Sequence, residues 1–254
     1  MVKSPLRYPG GKSRAVSQII HLLPQGLETL ASPFVGGASI ELAAASRGIR
    51  VYCYDAFAPL VDFWQAVLKD ASHLALMAAE YHPLKRTEFY ALQKRYSDIE
   101  GQFERAAAFY ALNRASYSGT TLSGGMSPGH PRFTPSALSK LRSFSIDGFS
   151  VELADFQESI PAHADDFLYL DPPYANGESL YGERGDLHAD FDHAALAHLL
   201  RGRDGWVLSY NDCEKVRDLY EGYTFVTPEW AYGIANKADS NEAIILSNDY
   251  VRVL

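Results

Sequence analysis

The sequence predicts an α/β fold in which helices cover both faces of a mainly parallel sheet. Short apolar runs alternate with stretches of helical period along most of the 254 residues, and this alternation is typical of parallel sheets. One apolar run, residues 167–170, stops at the carboxylate Asp171. Ligands bind at the carboxyl ends of such strands. Residues 71–115 carry helical signals without any strand candidate, which predicts a mainly helical insertion.

The first 70 residues predict two strands, each followed by a helix. Pro59 suits the first turn of a helix, because its missing N–H has no partner there in any case. The predicted elements are a helix at 13–23, a strand at 29–31, a helix at 39–46, a strand at 51–54 and a helix from Pro59 to Lys69.

The central part of the chain predicts an inserted subdomain at residues 71–145. Residues 71–115 are expected to be helical throughout. Residues 116–135 are rich in Gly, Pro, Ser and Thr and predict a long loop with room for a hairpin. Loops of this length are usually functional or disordered. The flanking parts, 1–70 and 146–254, would form the main domain.

The remaining part of the chain predicts five more strands and no internal repeat. A hydrophobic content of 47% is sufficient to bury the core of such a sheet. The predicted strands are 150–153, 167–171, 206–210, 224–229 and 243–247.

Composition predicts a cytoplasmic protein without a metal centre. No apolar run approaches the roughly 18 residues of a membrane span, and residues 1–5 lack a signal-peptide core. Cys53 and Cys213 have no metal-ligand spacing and are expected to be buried apolar residues.

Charge is distributed unevenly. The net charge of −8 argues mildly against a nucleic-acid partner. Residues 82–144, however, hold nine Lys and Arg against four Asp and Glu. A basic insertion on an acidic body favours contact with phosphates, whereas a solvated helical face is the alternative for any single lysine.

The residues after the fourth predicted strand predict a site for a flat ring that bears an amino group. Pro172 restricts Asp171 to extended backbone angles, and neither Pro172 nor Pro173 has an N–H, so their carbonyls are left to accept hydrogen bonds. Tyr174 offers a face on which a base can stack. The alternative is an ordinary turn after a strand.

Six short motifs follow one another along nearly the whole chain. They are residues 6–12 (Leu-Arg-Tyr-Pro-Gly-Gly-Lys), 33–37 (Pro-Phe-Val-Gly-Gly), Asp55, 113–119 (Asn-Arg-Ala-Ser-Tyr-Ser-Gly), 155–156 (Asp-Phe) and 171–174 (Asp-Pro-Pro-Tyr). In this order they resemble the Dam-like (class alpha) N6-adenine-specific DNA methyltransferases. The resemblance implies a Rossmann-like sheet that binds S-adenosylmethionine, and it makes residues 71–145 a DNA-recognition insertion in a catalytic domain.

The resemblance assigns two motifs to the ends of the cofactor. Tyr8 and Lys12 would close over the methionine end, where Lys12 meets the carboxylate; a phosphate-binding or exposed lysine is the alternative. Asp155 and Phe156 would accept the adenine amino group and stack on the base. A helix-capping Asp155 beside a core Phe156 is the alternative.

The loop Phe34-Val35-Gly36-Gly37 lets the backbone pass close to a ligand. It lacks the full G-x-G-x-x-G spacing of dinucleotide sites. Asp55 can hold ribose hydroxyls, which nicotinamide cofactors and S-adenosylmethionine share. The family usually has an acid before Pro-Phe, where this chain has Ser32. Asp171 would then contribute more to binding the cofactor's amino group.

The resemblance implies methylation of a flipped adenine in double-stranded DNA without a metal. Asp171 and the Pro172 carbonyl would accept the hydrogens of the N6 amino group, and Tyr174 would stack on the base. Asp171 or water takes the released proton.

For DNA contacts, the resemblance indicates Arg114, Tyr117 and Ser118, with Arg132 as a further candidate. Tyr117 would wedge into the base stack, and the arginines would reach guanine edges or phosphates. In the alternative, Tyr117 packs in the core and Arg114 pairs with a helix acid. Ser118 departs from the asparagine of the family pattern.

Other functions stay open at this point. An N4-cytosine or RNA adenine methyltransferase would use the same groups, and a catalytically silent DNA-binding relative is the alternative from another class. A nicotinamide dehydrogenase explains neither Tyr174 nor the basic insertion. Restriction-modification, phage self-protection and chromosome maintenance are equally compatible with the sequence, in the nucleoid or in the cytoplasm of a phage-infected host. A monomer would suffice for one flipped base.

Overall fold

The computed structural model describes residues 2–128, 131–175, 191–228 and 242–249. These residues form a seven-stranded sheet with the order β3-β2-β1-β4-β5-β7-β6. Strands β1 to β5 pair in parallel, and β7 lies antiparallel between β5 and β6. The strands are β1 (Thr29–Ser32), β2 (Arg50–Asp55), β3 (Phe149–Leu153), β4 (Phe167–Leu170), β5 (Trp206–Asn211), β6 (Thr224–Val226) and β7 (Glu242–Leu246). The predicted α/β class with a Rossmann-like sheet is confirmed.

Helices cover both faces of this sheet, as predicted. The two faces follow from the pleat: Phe167 and Tyr169 of β4 join one hydrophobic cluster, and Leu168 and Leu170 join the other. The first cluster contains buried residues of α1, α2, α3 and α5, and the second contains those of α7, α8 and α9. The α-helices are α1 (Val16–His21), α2 (Ser39–Ala45), α3 (Ala58–Ala79), α4 (Arg86–Lys94), α5 (Gln102–Ala115), α6 (Pro135–Arg142), α7 (Phe156–Ala162), α8 (His193–Leu200) and α9 (Glu214–Leu219).

The prediction that residues 71–115 are helical throughout was wrong. Helix α3 ends at Ala79, and α4 begins only at Arg86. Pro83 lies between them and has no N–H to continue a helix. The loop expected at 116–135 begins with a 3₁₀ turn at Tyr117–Gly119, and a single antiparallel bridge joins Ser116 to Met126.

The segment predicted as an insertion shares one core with the rest of the fold. Tyr110 of α5 stacks on Phe63 of α3 at a centroid distance of 5.8 Å. Asp70 interrupts α3 with non-helical angles (φ −158°, ψ 89°), at the predicted boundary of the insertion. The division into two domains stays a prediction. Within the described ranges, no helix has both the length and the apolar character needed to cross a bilayer.

The strand order locates a crevice beside β1. Strands β2 and β3 continue the sheet on one side of β1, and β4 and β5 continue it on the other. The strand order thus runs in opposite directions from β1 and from β4. This change of direction leaves an opening at the carboxyl ends of these two strands, which is where open α/β sheets bind ligands. The loop after β1 and Asp171 after β4 both lie at this edge.

Candidate active site

A cavity of about 530 Å³ opens at this edge of the sheet, within the range of small-molecule sites. All the residues predicted to be catalytic or to bind the cofactor line it. Within the described part of the chain, no three His, Cys, Asp or Glu side chains converge as metal ligands would.

Asp171 forms an ion pair with Lys12 at the base of the cavity. The Lys12 ammonium lies 2.7 Å from Oδ1 and 3.0 Å from Oδ2 of Asp171, and it also donates to the Gly10 carbonyl at 3.2 Å. Lys12 is only 3% exposed. Burial raises the pKa of Asp171, while Lys12 lowers it and Glu242 raises it further. In this structure Lys12 therefore contacts the predicted catalytic carboxylate.

Tyr174 is fixed at both its ring and its hydroxyl. Its hydroxyl accepts from Lys12 at 2.9 Å and donates to the Glu242 carboxylate. Its ring stacks on Tyr210, with centroids 6.3 Å apart and planes 28° apart. Pro172 is buried and Pro173 half-buried between Asp171 and this tyrosine.

The glycine loop is joined to Asp55 by backbone hydrogen bonds. Asp55 accepts from the N–H of Gly36 at 3.1 Å and from the N–H of Phe57 at 3.0 Å. Burial raises the pKa of Asp55 to about 6, although both hydrogen bonds act to lower it. A Cβ at Gly36 or Gly37 would lie 2.9 or 2.8 Å from Tyr8 atoms. The two glycines thus let the Tyr8 ring pack directly on the loop.

Three phenylalanine rings form one apolar wall of the cavity. Phe34, Phe156 and Phe191 have centroids 5.1 to 5.8 Å apart. Beside them, Asp155 caps α7 by accepting from the N–H of Gln157 at 2.8 Å, and Phe156 is buried. The contacts of both residues match the capping alternative, and both also line the cavity.

Two acidic residues at the site were missed by the sequence analysis. Glu242, the first residue of β7, contacts the Tyr174 hydroxyl and lies 3.8 Å from the Lys12 ammonium. Glu41 lines the cavity, is 2% exposed and accepts from the Ser32 hydroxyl at 2.7 Å. Burial raises the pKa of Glu41 from 4.5 to about 7. An acid in the apolar helix after the glycine loop was the available signal for Glu41, and no motif marks Glu242.

The residues predicted to contact DNA lie in the last turn of α5 and in the loop between α5 and α6. Tyr117 is 64% exposed, outside the core. Arg114 donates to the carbonyls of Arg132 and Pro5, and it has no ion pair within the described residues. Burial lowers the pKa of Arg114, and Arg132 lowers it further. Ser118 adopts left-handed angles at φ 54°.

Asn113 joins this loop to the segment that precedes Tyr8. Its side chain accepts from the N–H of Arg7 at 2.9 Å and donates to the Arg7 carbonyl at 2.7 Å. A third cation therefore lies beside Arg114 and Arg132. Burial lowers the pKa of Arg7, and both of these arginines lower it further. Sequence analysis did not single out Arg7.

A family model of the D12 class N6 adenine-specific DNA methyltransferases matches residues 8–234. The chain belongs to this family. The match includes the glycine loop, Asp55 and residues 171–174, and so confirms the predicted resemblance.

Three relatives that are named as methyltransferases or methylases are identical to this D12-class chain at about a quarter of the aligned positions. A DNA N-6-adenine-methyltransferase of Escherichia phage P1 is 28% identical over 183 residues, 68% of this chain and 24% of the phage protein. The type II methyltransferase M1.LlaDCHI of Lactococcus lactis subsp. cremoris is 23% identical over 66% of this chain and 64% of its own length. A DNA adenine methylase of Haemophilus influenzae is 24% identical over 87% of this chain and 83% of its own. The chain thus spans a quarter of the phage relative and about two thirds of the lactococcal one.

Proposed function

We propose that the protein transfers a methyl group from S-adenosylmethionine to N6 of an adenine that is flipped out of double-stranded DNA at a short specific sequence. The observation that carries this proposal is the position of Asp171 and Tyr174. They lie at the carboxyl edge of β4, in the same cavity as the glycine loop. Membership of the D12 class and the names of the relatives support adenine as the target.

The cavity has groups suited to each part of the cofactor. When bound, S-adenosylmethionine supplies a methyl group that its sulfonium already activates. Asp55 would hold the ribose hydroxyls, because its position is fixed by the backbone of the glycine loop. The rings of Phe34 and Phe156 would pack against the adenine, and Asp155 would accept from its amino group. Tyr8, which covers the loop, would close over the methionine end.

Asp171 would bind and orient the target amino group. Adenine N6 attacks poorly while its lone pair is delocalised into the ring, so acceptors that hold both hydrogens favour the reactive geometry. The Asp171 carboxylate and the Pro172 carbonyl would be these acceptors. Lys12 favours the ionised form of Asp171, which alone accepts at both oxygens. The target amino group would take over one of the positions that Lys12 occupies here.

Contacts with DNA would come from the surface beside the cavity. Arg7, Arg114 and Arg132 form a cluster of positive charge that suits phosphate oxygens. Tyr117 is exposed beside it and would fill the space that the flipped base leaves. Because Arg7 directly precedes Tyr8, the arginine cluster adjoins the cavity along the chain.

The test is transfer of radiolabelled methyl from S-adenosylmethionine to unmethylated double-stranded DNA, followed by nucleoside analysis. We expect label in N6-methyladenine with the wild type and its loss with Asp171→Asn. Asp212→Asn is the matched control, because Asp212 follows the end of β5 as Asp171 follows β4 and pairs with Arg217. This variant should keep full activity.

Other outcomes would replace the proposal. Label in N4-methylcytosine would change the target base, and label in RNA alone would change the substrate. Absence of label together with absence of cofactor binding would favour a silent DNA-binding relative.

A further inference from the structure

Glu41 is a buried carboxylate in the cavity wall without a cationic partner. It lies in the first turn of α2 and is held by the Ser32 hydroxyl at 2.7 Å. Within the described part of the chain, no Lys, Arg or His forms an ion pair with it, and Lys12 is paired with Asp171 instead. A buried carboxylate is costly unless it is paired or neutral. Its position therefore favours either a proton on the carboxylate or a cation brought by a ligand, since the described residues place no cation against it.

Ser32 explains why the carboxylate lies in this position. Ser32 is the last residue of β1 and directly precedes Pro33-Phe34, where the family pattern has an acid. A serine is too short to reach far into the cavity, but its hydroxyl contacts Glu41 from α2. The two residues together place an acid at the edge of the cavity beside the glycine loop.

The charged groups near Glu41 suit the ammonium and carboxylate groups of an amino acid. Asp171 acts electrostatically on Glu41, and Lys12 is bound to Asp171. An α-ammonium group would meet Glu41, and an α-carboxylate would meet the Lys12 ammonium as that lysine leaves Asp171. The methionine end of S-adenosylmethionine carries both groups.

We propose that Glu41, held by Ser32, binds the α-ammonium group of the cofactor's methionine moiety, and that it loses a proton when the cofactor binds. This inference rests on the proposed function. It assigns to a helix residue the acid that the chain lacks at position 32.

The loss of a proton follows from the surroundings of Glu41. Its pKa is about 7: burial and the charge of Asp171 raise it, while the Ser32 hydroxyl and the N–H groups of Glu41 and Ile40 lower it. The neighbouring buried Cys53 thiol has a raised pKa and adds no positive charge. Without a ligand, Glu41 therefore carries a proton in part of the molecules near pH 7. An approaching ammonium group favours the ionised form and releases that proton.

Calorimetry of S-adenosylhomocysteine binding at pH 6.5 to 7, in buffers of different ionisation enthalpy, measures the released protons. The wild type should release a fraction of one proton. Glu41→Gln should lose this release and bind S-adenosylhomocysteine about 10- to 100-fold more weakly, as expected for a lost charge-assisted hydrogen bond. 5′-Methylthioadenosine lacks the amino-acid portion and is the matched probe. It should bind both proteins equally.

The pKa values of Asp55 and Asp171 in this cavity are also raised. Because Glu41→Gln leaves both of these residues in place, the difference in proton release between wild type and variant measures the contribution of Glu41. The double variant Ser32→Asp with Glu41→Gln restores an acid before Pro33 and should recover most of the affinity. It also guards against a folding defect of the single variant. Equal binding of S-adenosylhomocysteine by wild type and Glu41→Gln would overturn the inference while methyl transfer still supported the function. No binding by the wild type would instead overturn the proposed cofactor itself.

Discussion

Asp171 is a half-buried carboxylate that forms an ion pair with one lysine. Lys12 contacts both of its oxygens and is itself almost fully buried. Breaking such a pair at one partner costs far more than the net stability the pair contributes, because the other charge is left unpaired. Lys12 therefore has a structural role in addition to any contact with a ligand.

We expect Lys12→Gln to lower the free energy of unfolding by about 1–3 kcal/mol at pH 8.5, less than for a fully buried pair because Asp171 is partly exposed. Burial raises the pKa of Asp171, and losing Lys12 raises it further. The defect should therefore be smaller at pH 5.5 than at pH 8.5, because a raised pKa favours protonation of Asp171 at the lower pH and so reduces the unpaired charge. Urea denaturation at both pH values measures it. Adding Asp171→Asn should recover most of the loss; no recovery would mean that Lys12 stabilises through other contacts.

Glu41 gives a pH dependence in the ligand-free protein. Burial raises its pKa from 4.5 to about 7. The folded state therefore favours the neutral form of Glu41 more than the unfolded state does. Its contribution to stability is full below pH 4.5 and is lost as pH rises through about 7. We expect Glu41→Gln to raise the free energy of unfolding by about 1–3 kcal/mol at pH 8 and to have little effect near pH 5. An equal change at both pH values would contradict a protonated Glu41.

Sequence alone predicted those cavity residues that belong to a short motif, such as Asp171 to Tyr174. It missed Glu41, which lines the cavity, and Glu242, which contacts Tyr174, because each belongs to an element that no motif covers. It also gave no sign that Lys12 pairs with Asp171, since 159 positions separate them. Only the folded sheet brings these groups together.

At the scale of elements, the loop after α5 is fixed against the start of the chain. Gly119 has φ +83°, and a Cβ there would lie 2.2 Å from the Arg7 carbonyl oxygen. Asn113 bonds both the N–H and the C=O of Arg7. The motifs at residues 6–12 and 113–119 therefore pack against each other, next to the exposed Tyr117.

Gly119→Ala should destabilise the protein by about 2–4 kcal/mol through left-handed strain plus the clash with Arg7. Gly222→Ala is the matched control, because Gly222 has φ +89° and open space around it. It should cost only the strain, about 1 kcal/mol. Thermal unfolding of both variants measures the difference, and equal losses would show that the contact with Arg7 adds nothing.

Ser118 departs from the asparagine of the family pattern and adopts φ 54°. Asparagine tolerates left-handed angles better than serine. We expect Ser118→Asn to raise the free energy of unfolding by about 0.5 kcal/mol, measured by urea denaturation. A decrease would indicate that the serine hydroxyl makes a stabilising contact.

The strands were predicted within one to three residues, since each is a short apolar run closed by polar residues. The helices of the central segment were predicted as one stretch, because helical period persists through residues 80–85. Pro83, which has no N–H to continue a helix, was the available signal for the break between α3 and α4.

For the whole molecule, local charge matters more than the net value of −8. Some basic residues of the central segment pair with acids: Arg105 lies 2.6 Å from Asp62, and Lys85 lies 3.8 Å from Glu88. Arg7, Arg114 and Arg132 have no such acid among the described residues. These three arginines lie close enough together that Arg114 and Arg132 lower the pKa of Arg7, and Arg132 lowers the pKa of Arg114.

Arg132→Gln should weaken DNA binding and reduce the slope of log K against log salt concentration by about 0.9, the value for one phosphate contact. Arg105→Gln removes the same charge from the same segment and should leave the slope unchanged. Fluorescence anisotropy with a short duplex at several salt concentrations measures both. Equal slopes for the two variants would mean that the effect is one of net charge alone.

The sheet order could not be predicted from the sequence. Alternating strands and helices indicate parallel pairing for β1 to β5, but β7 lies antiparallel between β5 and β6. Strand β6 precedes β7 along the chain but lies at the edge of the sheet, so its place depends on pairing with a later strand. No local pattern encodes it.

The position of β7 also sets the order in which a growing polypeptide can assemble the site. Among the described strands, β6 pairs only with β7, so it joins the sheet only after residues 242–246 have left the ribosome. Glu242 comes with them and provides the contact to the Tyr174 hydroxyl. The loop that carries Asp171 therefore lacks this partner on a nascent chain until every strand before β7 has been synthesised.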